Sequence, residues 1–98
     1  MKIKLEVMSG AMDGEEFHLK RSFTIGREKS NEVPLNLDKY ISRRHARVLL
    51  NGSGICVEDL GSTNGTFICG ERVYEKVKVD ENQLFRVGRT WVKLNWKK

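Results

Sequence analysis

The chain has 98 residues, 39% hydrophobic and 32% charged, with a formal charge of +5. That length suits one domain, 1–98, able to bury roughly two-thirds of the surface its unfolded chain exposes. There is no run of about 18 apolar residues for a membrane helix, and the opening MKIKLEVMSG lacks the continuous apolar stretch of a signal peptide.

Lys2 to Val7 alternates polar and apolar, with Ile3, Leu5 and Val7 on one face, as in a half-buried strand. Met12-Asp13-Gly14 supplies a turn, and Glu16 to Leu19 resumes a strand. Phe23-Thr24-Ile25 follows and stops at Gly26. Val33-Pro34-Leu35 fits only a sheet edge, because Pro34 has no N–H for a ladder. Ala46 to Leu50 ends in Asn51-Gly52-Ser53-Gly54, a turn leading to Ile55-Cys56-Val57-Glu58. Asn64-Gly65 is the strongest hairpin signal and favours a type I′ turn. Thr66 to Cys69, Arg72-Val73-Tyr74, Val77 to Val79, Leu84 to Val87 and Trp91 to Trp96 complete the series. Ten or eleven short strands without a sustained helical period predict an all-β sandwich or barrel, mostly antiparallel.

Phe23, Phe67, Phe85, Trp91 and Trp96 fall within strands and are assigned to the core. Cys56 and Cys69 lie 13 apart without neighbouring His, so they make no zinc site. They read as small core or near-core residues in a reducing compartment, which favours the cytoplasm.

The positive charge suits an anionic partner and does not choose between nucleic acid, acidic lipid and a phosphorylated protein. Three loop clusters narrow the field. The first is Gly26-Arg27, where glycine permits close backbone approach or positive φ and arginine offers a planar fork for phosphate. The second is Ile41-Ser42-Arg43-Arg44-His45-Ala46. If extended, it puts Arg43 and His45 on one face and Ser42 and Arg44 on the other; a turn changes that assignment. Ser42, His45 and Asp59 invite a nucleophile–base–orienter reading. No Gly-x-Ser-x-Gly elbow surrounds Ser42, and a structural strut is the better role for His45. The third is Asp59-Leu60-Gly61-Ser62-Thr63-Asn64-Gly65-Thr66, rich in small donors and acceptors. Asp59 is expected to accept hydrogen bonds from this loop, and the Asn64 amide can bond an extended peptide backbone. No phosphate-binding Gly-x-x-x-x-Gly-Lys-Ser/Thr loop is present.

These clusters in this order, with Val87-Gly88 near the end, resemble the forkhead-associated (FHA) domain over nearly the whole chain. The resemblance implies a β-sandwich of two twisted, mostly antiparallel sheets with binding loops at one end. It implies recognition of phosphothreonine segments rather than catalysis, with no metal or cofactor. By position, Arg27 and Ser42 would contact the phosphate and Arg43 would add a second positive contact. Thr63 and Asn64 would hold the peptide, while Gly26, His45 and Gly65 would maintain loop shape. Lys29, Ser30 and Asn31 would lie near residues flanking the phosphothreonine. The implied partner is a phosphothreonine-containing protein, a Ser/Thr kinase or its substrate, met by a monomeric domain. Nucleic acid and membrane are not expected partners. The alternative is an FHA fold used as a phosphate-independent scaffold or dimerisation module.

Overall fold

The computed structural model describes residues 1–52 and 54–97. Ser53 of the expected 51–54 turn and the terminal Lys98 lie outside the described residues. The strands are β1 (Lys2–Val7), β2 (Glu16–Leu19), β3 (Phe23–Gly26), β4 (Val33–Pro34), β5 (Ala46–Asn51), β6 (Gly54–Asp59), β7 (Thr66–Ile68), β8 (Glu71–Arg72), β9 (Val77–Val79), β10 (Leu84–Val87) and β11 (Thr90–Lys97). They form an all-β sandwich of two sheets, ordered β2-β1-β11-β10-β7-β8 and β4-β3-β5-β6-β9. Pairing is antiparallel except between β3 and the two-residue edge strand β4, where Ile25 faces Val33 in parallel. Pro34 sits on that edge strand, where its missing N–H costs no ladder bond.

Alternation places the core. Ile3, Leu5 and Val7 of β1 point inward, and β11 answers with Val92 and Leu94. Phe23, Ile25, Val48, Ile55 and Val57 meet them from the other sheet, and Phe85 of β10 is fully buried among them. The same alternation corrects two core assignments. Trp91 falls between buried Thr90 and Val92, so it turns outward and is 38% exposed. Phe67 falls between buried Thr66 and Ile68 and also faces out, where the Arg86 guanidinium lies 4.3 Å from its ring centroid. Cys69 is likewise exposed, at φ 52° in the β7–β8 turn, and Cys56 is half-buried.

The strongest expected hairpin is not one. β6 and β7 belong to different sheets, so residues 60–65 cross the sandwich rather than turning back. Of the Asn64-Gly65 pair, Gly65 takes a positive φ, at 86°, and Asn64 does not, which rules out the type I′ geometry.

Register then gathers the loops. Ile25 pairs with Ala46 and Ala46 with Asp59, so β3 ends, β5 begins and β6 ends at one edge. Thr66 pairs with Val87 and Val87 with Thr90, bringing the start of β7 and the β10–β11 turn to the matching edge of the other sheet. Phe85→Ala should cost about 3–5 kcal/mol through lost burial and a cavity. Urea denaturation at pH 7.5 reads this as a lower midpoint.

Candidate functional site

Arg27 leaves β3 with its N–H donating to Ser42 O at 3.0 Å, and Glu28 N–H donates to Arg43 O at 3.3 Å. These bonds extend the β3–β5 pairing past the strand ends, so Arg27 and Ser42 emerge side by side. Gly26 is required here by close approach, not by its φ. A Cβ on it would fall 2.1 Å from Arg43 O and 2.7 Å from Asn31 Nδ2. Segment 41–45 is bent rather than extended, and Arg43 and Arg44 are both exposed while Ser42 is half-buried and His45 buried.

His45 joins two loops. Its Nδ1 accepts from Ser42 N–H at 3.0 Å, so the proton of the neutral ring sits on Nε2, which donates to Gly65 O at 2.8 Å. Gly65 is confined as well as left-handed: a Cβ there would meet Phe67 at 2.8 Å. Ser42 Oγ accepts from Thr63 N–H at 3.1 Å, and Asn64 Nδ2 donates to Tyr40 O at 2.9 Å. Asp59 organises the 60–65 loop from within. Its Oδ2 accepts from Gly61 N–H and Ser62 N–H, and its Oδ1 from Ser62 Oγ and Thr66 Oγ1.

These bonds leave no nucleophile–base pair. The His45 nitrogen nearest Ser42 is taken by that residue's backbone, and Asp59 spends both oxygens on its own loop. Among the described residues no group of three His, Cys, Asp or Glu could hold a metal ion, and no helix is long and apolar enough to cross a membrane.

Arg27, Ser42, Arg43, Thr63 and Asn64 line one open cavity of about 440 Å³. Lys39, Tyr40, Ile41 and Arg44 complete its wall. Gly26, His45 and Gly65 lie behind it, buried. Two supports were missing from the sequence reading. Asn31 is not at a peptide-facing edge; it is buried, and its Nδ2 donates to Glu28 O and Arg43 O at 2.7 and 2.8 Å. Asp38 ties the 37–41 segment to the β10–β11 turn, accepting from Tyr40 N–H, Arg89 N–H and Thr90 Oγ1.

The family model of the FHA domain matches residues 23–88, from β3 to the β10–β11 turn. The chain belongs to the FHA family. The FHA domain-containing protein FhaB of Mycobacterium tuberculosis is 40% identical over 91 residues, 92% of this chain. FhaB of Mycolicibacterium smegmatis is 40% identical over 92 residues, 93% of the chain. The chain spans 58% and 59% of the length of these two relatives. The FHA domain of the CT664 protein from Chlamydia trachomatis superposes with a TM-score of 0.88 at 28% identity, covering all of both chains. An FHA domain solved in a study of phosphothreonine-dependent FHA interactions gives 0.85 at 25% identity, over 100% of this chain and 99% of that one. The FhaA FHA domain, solved in complex with the intracellular domain of Rv3910, gives 0.81 at 26% identity over 95% and 99%.

Burial pushes the His45 imidazole pKa down, against the pull of the Gly65 carbonyl and of Asp59 and Asp38. Burial alone would raise the Asp59 carboxyl pKa, but the hydrogen bonds from Ser62 and Thr66 hold it below the usual value. The unfolded His45 ring therefore binds its proton more readily than the folded one, and stability falls as pH drops below about 6.5. The stability Asp59 supplies is lost only on further acidification, through its lower folded value. The urea midpoint should drop between pH 7.5 and 5, and His45→Gln should flatten that drop.

Proposed function

We propose that residues 1–98 act as one FHA domain that binds phosphothreonine-containing segments of partner proteins and is not an enzyme. One observation carries the reading: the five expected contact residues line a single cavity whose wall holds four cations and no carboxylate. A phosphothreonine brings about −1.5 to −2 charge at pH 7 and three strong acceptor oxygens. Arg27 meets these with a planar fork and Arg43 adds a second charge. Ser42 Oγ accepts from the Thr63 amide, so its own proton is left to donate to a phosphate oxygen. Asn64 uses one amide hydrogen on Tyr40 O and keeps its Oδ1 and second N–H for the backbone of an extended peptide. Thr63 holds the peptide beside it. Gly26, His45 and Gly65 keep the loops in register. The partner is a Ser/Thr kinase or its substrate, met by a monomeric domain in the cytoplasm.

A phosphate-independent scaffold or dimerisation role has one observation in its favour. Leu84 and Trp91 stay 46% and 38% exposed on the outer face of β10 and β11. Calorimetry separates the two readings, using threonine peptides selected from a phosphopeptide library. Phosphorylated peptide should bind and its unphosphorylated twin should not. Arg27→Ala should weaken binding about tenfold or more, the loss of a charge-assisted hydrogen bond. Ser42→Ala should weaken it about two- to tenfold. Equal affinity for both peptides overturns the phosphothreonine reading, and partner binding that survives Arg27→Ala and phosphatase supports the scaffold.

A further inference from the structure

The amide group joining Ser62 to Thr63 is held at both ends. Its N–H, on Thr63, donates to Ser42 Oγ at 3.1 Å. Its carbonyl, on Ser62, accepts from Arg72 Nη2 at 3.3 Å. The C=O and N–H of a trans amide point in opposite directions within one plane, so fixing either end fixes the other. Ser42 and Arg72 therefore grip one rigid unit from opposite sides.

Arg72 does not line the phosphate cavity. It lies on β8, at the edge of the six-stranded sheet, paired in register with Phe67. Its guanidinium packs on the 60–65 loop a second time at Gly65, where a Cβ would fall 3.0 Å from Arg72 Nε. The Tyr74 ring centroid lies 5.5 Å from the same guanidinium. Just beyond this short strand, buried Val73 donates its N–H to Thr66 O at 2.7 Å and ties the segment down. The other bonds of the loop serve other atoms. Asp59 takes the amides of Gly61 and Ser62, the Ser62 hydroxyl takes that of Gly65, and His45 reaches Gly65 O. Among the described residues only Arg72 reaches the Ser62 carbonyl.

A cation at an amide carbonyl polarises the group and strengthens donation by its N–H. The Ser42 oxygen accepts that N–H and keeps its own proton to donate. We propose that Arg72 is a positioning residue for the phosphate site, acting through the Ser62–Thr63 amide to hold the Ser42 hydroxyl with its proton directed at the phosphate. The inference rests on the phosphothreonine reading above. Arg72 does not touch the bound segment, and its effect passes through the Ser42 hydroxyl.

Calorimetry on the unaltered domain, Arg72→Met, Ser42→Ala and the double variant tests it, with a phosphothreonine peptide selected from a phosphopeptide library. Methionine keeps an apolar stem and removes the donors. Arg72→Met should weaken binding about threefold or more in the unaltered domain. In the Ser42→Ala background the same change should have almost no further effect, because the group it positions is gone. Arg72→Lys, which keeps a cation and a donor at the edge, should recover part of the loss. In the ligand-free domain the Thr63 amide proton should move upfield in Arg72→Met, the sign of a weaker bond to Ser42 Oγ. Equal losses in the two backgrounds overturn the inference and leave Arg72 a general support of the loop. Undiminished binding by Arg72→Met, or an unmoved Thr63 amide proton, overturns it as well. The unphosphorylated twin separates the two possible failures. An unaltered domain that binds both twins alike fails the phosphothreonine reading; one that discriminates between them, without coupling between Arg72 and Ser42, fails this inference alone.

Discussion

The buried ring of His45 connects two loops that the chain itself keeps 20 residues apart, taking the Ser42 amide on one nitrogen and giving a proton to Gly65 O from the other. Neither loop has regular structure to hold it. The 41–45 segment is bent, and residues 60–65 cross from one sheet to the other. A buried polar ring is costly unless both nitrogens are paired, so the two bonds are also what permits the ring to be there. Around this link the other contacts fall into place. Thr63 N–H reaches Ser42 Oγ, Asn64 reaches Tyr40 O, and Asp59 stiffens the crossing loop from inside.

The arrangement separates shape from charge. Gly26, Asn31, His45, Asp59 and Gly65 are tied up with backbone and with each other, and set where the loops lie. The cations in front of them, Arg27, Lys39, Arg43 and Arg44, have no carboxylate partner among the described residues. Under the phosphothreonine reading proposed above, such a surface is in place before the anion arrives, which limits the ordering that binding must impose. The rigid sandwich makes this possible, since each loop starts and ends on paired strands.

Much of this could be read from the residues alone. Period-two alternation and turn residues located ten of the eleven strands, while the one expected at Arg72–Tyr74 is the pair Glu71–Arg72; Gly26-Arg27, the Ser42–His45 segment and the 59–66 loop marked the end of the sandwich that carries the cavity. What could not be read depends on contacts between distant segments or on strand phase. Asn31 looked like a peptide-facing loop residue because nothing local reveals its bond to Arg43 O, 12 positions away. Asp38 drew no notice because its partners Arg89 and Thr90 lie 51 and 52 positions on. Asn64-Gly65 suggested a two-residue hairpin because its dipeptide signal is local, whereas the sheet change between β6 and β7 is global. Trp91 reads as core because it falls within a strand, but strand membership does not give the phase, and one residue out of step with Val92 it turns outward.

The central claim is that the loop end, not a sheet face, meets the partner. Amide chemical-shift mapping of the labelled domain during titration with a phosphothreonine peptide tests it most directly. The account predicts the largest shifts at Arg27, Ser42, Arg43, Thr63 and Asn64, with none of comparable size along β10 and β11. Shifts centred instead on Leu84, Arg86 and Trp91, or identical shifts from the unphosphorylated peptide, would contradict it.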